Sequence, residues 1–383
     1  MRGVFFIALG YTYHIRMLIS EPSAIFFSNL WDATWWFLIP LFLFPLFIKM
    51  WLFYVRKYYI TNLKWVNLQV SVPIEVLKTP KAMEQIFAAA HGTFSHGIKW
   101  YDKWWNGEVE NWSSFEIMAD SSGPRFYIRV VAGVQKMLEA AIYSQYPDAE
   151  IMLAEDYTAK FPLVLPNAMY DLHSGDFILT HDDTLPIRTY EYFEAKEADE
   201  KIDTIGTLME ALFSNFIKAS FLKEDEELEW PEDKKGEKIK IMDLTPGKKL
   251  QLEAIDMKLS KLMFETVIRW THINRKEELN LANTSGIRAW VKQFADENLN
   301  ILRPYLPTYT VTAKWPFKKR KQFIKKRLQY ENSIKRRFPK KFSMMNTEEL
   351  ATIYHFPSAT VKTPMLGRVE AKKGTPPASL PVE

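Results

Sequence analysis

From Ala33 to Val55 the chain reads ATWWFLIPLFLFPLFIKMWLFYV, an unbroken apolar run whose only charge is Lys49. At about 1.5 Å per residue, such a helix is roughly 34 Å long, enough to cross the hydrocarbon core of a bilayer. Aromatic residues gather at both ends, Trp35 and Trp36 before and Trp51 and Tyr54 after, where interfacial anchors belong. Pro40 and Pro45 are tolerated in a membrane-spanning helix, and Lys49 lies close enough to the end to snorkel. The run predicts a single transmembrane helix over residues 33–55. Arg56, Lys57 and Lys64 follow it closely while only Arg16 precedes it at comparable distance, so the C-terminal bulk is expected in the cytoplasm. The short apolar stretch Val4 to Leu9 lacks the h-region and cleavage site of a signal peptide.

Beyond the span the period of the pattern changes. Val66, Leu68, Val70 and Val72 alternate with polar residues, which predicts a half-buried strand. Thr79-Pro80 opens a helix carrying Met83, Ile86, Phe87 and Ala90 at helical spacing. Phe115, Ile117 and Ala119 form a second strand, Ser121 to Pro124 a turn, and Phe126, Ile128 and Val130 a third strand. A helix with Val134, Leu138, Ala141 and Ile142 and a strand with Ala149, Ile151 and Leu153 complete the series. The order β-α-β-β-α-β is that of a ferredoxin-like module over residues 62–155. A second α+β module is expected over residues 156–313. Its strands are placed near Ile187 to Phe193, Lys238 to Asp243, Phe264 to Ile273 and Thr308 to Ala313. Its helices are placed near Thr204 to Phe216, Leu250 to Leu262 and Glu278 to Asp296. The fold class is therefore α+β, one spanning helix followed by one or two ferredoxin-like modules.

Charge changes this picture in two places. Residues 223–238, KEDEELEWPEDKKGEK, read as a solvated, acid-rich insertion. From Lys314 to Lys341 the chain carries 13 Lys and Arg against one acid, Glu331. Phe317, Ile324, Leu328 and Phe338 fall roughly on one helical face, which predicts an apolar stripe against the fold and a basic outer surface. Lys318, Lys319, Arg320, Lys321, Lys325, Lys326 and Arg327 are then candidates for contact with phosphates, of nucleic acid or of anionic lipid. A docked helix with merely solvated lysines remains the alternative. Asn346-Thr347-Glu348-Glu349-Leu350 is a helix N-terminus, and residues 358–383 form a Pro-rich linker.

Composition narrows the chemistry. The chain has 383 residues and no Cys, which removes disulfides, Cys-ligated zinc, iron–sulfur clusters and thiol nucleophiles. No segment fits G-x-x-x-x-G-K-[ST], G-x-G-x-x-G or G-x-S-x-G. His91 and His96 have no further His or Cys near them, and His181-Asp182-Asp183, which could hold a cation, reads more simply as a turn between two candidate strands. No catalytic residue, cofactor or metal site is expected, and the chain reads as a non-enzyme.

Two stretches carry a resemblance: KTPKAMEQIFAAAHG (Lys78 to Gly92) after the aromatic span and YVRKYYI junction, and MNTEELATIYHFPSATVKTP (Met345 to Pro364) followed by KKGTPPASLP. Together they resemble the membrane-anchored N-terminal region of type IV secretion coupling ATPases, the TraG-like and HerA/FtsK-like translocation ATPases of candidate phyla radiation bacteria. In that family a P-loop ATPase domain follows such a linker, so the resemblance implies that nucleotide binding lies outside these residues. It also implies a bacterial inner-membrane location and a role in attachment and assembly. The partners implied are the membrane, a P-loop ATPase domain or subunit, DNA, and further copies of the chain. The alternative is a stand-alone membrane-tethered nucleic-acid-binding protein acting through residues 314–341.

Overall fold

The computed structural model describes residues 21–73, 78–94, 97–120, 122–196, 203–209, 218–220, 223–224, 246–279, 284–359 and 361. They form a mixed helix-and-sheet structure in two compact units, residues 1–63 with 98–109, and residues 64–97 with 110–383.

In the first unit, helix α1 runs Glu21–Asn62 with Pro40 and Pro45 inside it. It extends beyond the expected 33–55 at both ends. Most of its described apolar side chains are exposed, Phe42 being 84% exposed, and among the described residues it is the one helix long and apolar enough to cross a membrane. A π-helical turn, Asp102–Asn106, belongs to this unit. Residues 98–109 thus leave the module in which continuous sequence reading had placed them.

The second unit is built on one eight-stranded sheet. Strand β1 (Trp65–Ser71) buries Leu68 and Val70, and helix α2 (Lys81–Phe94) buries Met83, Ile86, Phe87 and Ala90, as their spacing requires. Strands β2 (Ser114–Asp120) and β3 (Gly123–Val131) form a tight hairpin in which Asp120 faces Gly123. Gly123 has φ +102°, a conformation that only glycine adopts without strain, and Asp120 Oδ1 accepts the Ser122 N–H at 2.8 Å. Helix α3 (Gln135–Gln145) buries Leu138 and Ile142, and β4 (Glu150–Ala154) pairs with β1. These four strands lie in the order β4-β1-β3-β2, all pairs antiparallel.

The sheet continues past β2. Strand β5 (Tyr170–Leu179), helix α4 (Tyr190–Lys196), the short strands β6 (Lys218–Ser220) and β7 (Lys223–Glu224), and helix α5 (Pro246–Leu259) come next. After them come β8 (Met263–Thr266), β9 (Ile268–Arg275), helix α6 (Ser285–Lys292) and β10 (Leu302–Pro304). Helix α7 (Lys318–Ile334), β11 (Ser343–Asn346) and helix α8 (Thr347–Ile353) complete the described elements. The full order is β10-β5-β9-β6-β2-β3-β1-β4, with β11-β8-β7 as a separate sheet. The strands of residues 65–154 therefore share one sheet with β5, β6, β9 and β10, joined where β6 pairs with β2.

Several expected elements differ. Ile187 to Phe193 is not a strand. Ile187, Tyr190 and Phe193 recur every three residues and lead into α4, while the Ile187 and Tyr190 N–H groups donate to Glu349 Oε1 and Thr352 Oγ1. Phe264 to Ile273 breaks at Val267 into β8 and β9, which sit in different sheets. Thr308 to Ala313 is irregular; Thr310 N–H still donates to Ser174 O at 2.9 Å. The helix expected over Glu278 to Asp296 is the shorter α6, and that over Leu250 to Leu262 is α5. Lys238 to Asp243, most of 223–238, and residues 362–383 lie outside the described residues, as do 210–216 of the helix expected from Thr204.

The segment from Ser343 to Pro357, polar in appearance, is buried throughout. Tyr354 stacks edge-on against Phe115 and Phe126, and Phe356 against Phe126 and Tyr146. Glu348 and Glu349 enter the interior because cations meet them. Lys258 pairs with Glu349 at 3.0 Å, both side chains fully buried, and donates to Met344 O at 2.9 Å. Lys261 bridges Glu84 and Glu348 at 3.0 and 2.8 Å. Asn346 and Glu349 form a reciprocal capping box that starts α8.

Candidate phosphate-binding interface

Helix α7 docks by a largely polar face, the reverse of the expected arrangement, with Tyr330 and Ile334 packing beside it on Leu165 and Leu172. Lys326, Gln329, Tyr330 and Ser333 are buried, whereas Phe317, Ile324 and Leu328 are exposed and Phe338 is half-buried. The inward stripe is Gln322, Lys326, Gln329 and Ser333, spaced by four, three and four residues, a helical face made of hydrogen-bonding groups. Buried polar groups need partners, and strands β5 and β9 supply most of them, while Gln322 Nε2 donates to Val311 O at 2.9 Å. Gln329 Nε2 donates to Asp176 Oδ1 at 2.9 Å, and Asp176 also pairs with Arg269 Nε at 2.7 Å. Arg269 Nη1 donates to the carbonyls of Asn332 and Arg337, each at 2.9 Å, placing a cation at the C-terminal end of α7 where the dipole favours it. The Ser333 hydroxyl bonds that of Thr271, which bonds that of Ser174.

Beyond the helix, Arg336 adopts φ +49° and turns its guanidinium into the fold. It pairs with Glu116 and Asp156 at 2.6 Å each, while Tyr157 OH also donates to Glu116. Burial alone would raise the Asp156 carboxyl, but hydrogen bonds from Arg336 and Thr158 and the Arg336 charge hold it down to about 2. A cavity of about 220 Å³, largely apolar, lies beside this cluster and is lined in part by Tyr157, Tyr330 and Ile334.

The seven candidate basic residues divide accordingly. Lys326 is buried and paired with Asp171 at 2.7 Å. Lys325 Nζ donates to the carbonyls of Leu306 and Thr312 at 2.8 and 3.2 Å, and burial lowers its pKa. These two are structural, a correction to the sequence reading. Lys318, Lys319, Arg320, Lys321 and Arg327 are exposed. Four of these cations crowd the first turn of α7, which holds no acidic residue and has no side-chain cap at Phe317. Unsatisfied N–H groups and the positive end of the helix dipole lie there too, each nearby cation costing about 0.3–1 kcal/mol at low salt. An anion is the complement of this arrangement. Trp315 (88% exposed), Phe317 (73%), Phe323, Ile324 and Leu328 interleave with the cations, so the outward surface is both basic and apolar.

Of the proposed membrane anchors, Trp35, Trp36 and Tyr54 are exposed along α1. Trp51 is half-buried and donates its indole N–H to Trp104 O at 3.0 Å. Sequence reading passed over Trp104 and its neighbours Trp100, Tyr101 and Trp105. Their density in KWYDKWWN was the signal available. His91 on α2 packs edge-on against Phe264 on β8, and Asp182 turns the chain by accepting the Leu185 N–H on its carbonyl. His96 lies outside the described residues. His173 and His272 face each other across β5 and β9; burial, joined for His173 by the Lys326 charge, lowers each to about 4. Among the described residues no three His, Asp or Glu side chains converge on a space fit for a metal ion.

No protein-family model matches the sequence, and no curated protein matches it.

Proposed function

We propose that this chain is a membrane-anchored, non-catalytic module of a DNA or protein translocation machine of the type IV secretion kind. It would attach a P-loop ATPase domain or subunit to the bacterial inner membrane and organise its assembly, including contact between copies of the chain. The outward-facing apolar surface of α1 supports membrane attachment, and Arg56, Lys57 and Lys64 support a cytoplasmic bulk. The order β4-β1-β3-β2, with α2 and α3 as its crossovers, supports reading residues 65–154 as a ferredoxin-like half of the larger sheet. The link to translocation ATPases rests on the two sequence stretches that resemble them.

The observation that carries a working role for the surface is the exposed first turn of α7, where Lys318, Lys319, Arg320 and Lys321 face solvent. It favours a second reading equally, a tethered nucleic-acid-binding protein acting alone. Both readings place phosphate at this turn. Full chain in nanodiscs of zwitterionic lipid, titrated with labelled duplex DNA, should bind without sequence preference. Five phosphate contacts give a log–log salt slope of roughly −4.5. Lys318→Gln, Lys319→Gln and Lys321→Gln together should reduce that slope by between two and three units. Absence of DNA binding at low salt would remove nucleic acid as the partner. Binding by α7 to anionic vesicles alone would assign it to lipid.

A further inference from the structure

Residues 98–109 fold with α1, and their geometry explains why. Gly107 has φ +67°, and a Cβ there would collide with the backbone of Val55, so the position is closed to other residues on both counts. Val55 is buried in consequence, on a helix whose other described apolar residues are mostly exposed. The Trp105 ring packs edge-on against Trp51 at 5.9 Å, and the Trp51 indole N–H is satisfied by Trp104 O. The turn Asp102–Asn106 is thereby fixed at the level of Trp51 to Val55.

That level has a meaning if α1 spans a bilayer, the reading on which this inference rests. Ala33 and Trp51 are about 27 Å apart along the helix, close to the thickness of a hydrocarbon core, so Trp51 stands at its boundary. Held at that height, Trp100 (69% exposed), Tyr101 (60%) and Trp105 (55%) present their rings outward, with Lys99 exposed beside them. In water these three rings leave a large apolar area unburied. Trp and Tyr, with an apolar body and a polar tip, suit the headgroup–acyl boundary, and lysine suits the phosphates above it.

We infer that the Trp100–Trp105 turn is a second, in-plane membrane anchor, seated in the interface of the leaflet that holds the C-terminal end of α1. It would fix the rotation of α1 and reinforce its depth, because apolar length and end anchors position a single helix in depth but leave its rotation weakly held.

The chain contains no cysteine, so single labels are straightforward. Nitroxides at Tyr101→Cys, Phe44→Cys and Glu150→Cys, in full chain reconstituted into vesicles, report collision with membrane-soluble oxygen and with a water-soluble nickel chelate. Phe44→Cys should favour oxygen strongly, and the exposed body position Glu150→Cys should favour nickel. Tyr101→Cys should fall between, its nickel accessibility several-fold below that of Glu150→Cys. Trp100→Cys, an outward position on the same turn, should repeat the result if the Tyr101 substitution perturbs folding. Nickel accessibility at 100 and 101 equal to that at 150, with Phe44→Cys shielded, would overturn the anchor and leave the span intact. A nickel-accessible Phe44→Cys would overturn the span and the anchor with it.

Discussion

Helix α7 and the segment from Ser343 to Tyr354 are neighbours in sequence and both carry charge, yet their charges meet opposite fates. In α8, Glu348 and Glu349 are buried because Lys258 and Lys261 reach them from α5 and the residues after it. In α7, Lys326 finds a carboxylate on β5, while the cations of its first turn find none among the described residues and stay in solvent. A charge in sequence therefore says little about exposure. What decides is whether the rest of the fold brings a partner of opposite sign. Where it does, the charge becomes part of the interior; where it does not, the charge is left for something outside.

The strongest way to break this comparison is to remove a buried partner. Lys258→Ala leaves Glu349 buried with two backbone N–H groups, those of Ile187 and Asn346, as its remaining donors. Stranding one member of a buried pair costs about 3–5 kcal/mol. Urea unfolding of the full chain in detergent, followed by tyrosine and tryptophan fluorescence, should show the midpoint falling accordingly. A loss below about 1 kcal/mol would mean that the pair contributes little to the interior.

Acid probes the same interior more gradually. His173 and His272 are held near 4, below the ordinary 6.5, so the unfolded chain binds more protons than the folded one between those values. Stability therefore falls as pH drops from about 6.5 to 4, by of order 1–3 kcal/mol per group. Asp156, held at about 2, adds a further loss between about 4 and 2, again because the unfolded state takes up the proton first. His272→Leu should flatten the upper part of this curve and leave the lower part unchanged. Urea midpoints that stay constant from pH 7 to 4 would contradict the burial of both imidazoles.

How much of this was legible in the sequence follows from the same rule. Strands β1, β2 and β3 and helices α2 and α3 sit where apolar periodicity placed them, because their buried faces are largely aliphatic and aromatic; β4 also forms where expected, but its Leu153 is 71% exposed and does not face the core. Strand β5 went unread. YDLHSGDFIL neither alternates nor runs apolar, since Ser174 and Asp176 are buried against Thr271, Thr310 and Arg269. Helix α7 was read inside out for the same reason: its buried stripe is polar, and the apolar residues that seemed to define a core face point away from the fold. The exposed first turn of the candidate interface was legible as charge density. That Lys325 and Lys326 do not belong to it was not, because their partners, the carbonyls of Leu306 and Thr312 and the carboxylate of Asp171, are remote in sequence.

The smallest expected effect sharpens the contrast most. Replacing Lys318, Lys319 and Lys321 by Gln removes three cations that have no acidic partner among the described residues and that oppose the helix dipole. Surface substitutions of this kind change stability by about 0.5 kcal/mol or less, and relief of the dipole conflict gives the change a stabilising sign at low salt. Added salt should erase the gain, because the interaction is exposed and screened. Lys326→Gln is the matched control on the same helix. It strands Asp171 beside a buried polar stripe and should lower the unfolding midpoint clearly, with little dependence on salt. A destabilisation by the triple substitution as large as that of Lys326→Gln would show that the first turn of α7 is held by the fold after all, and would remove the physical ground for assigning it to an external phosphate.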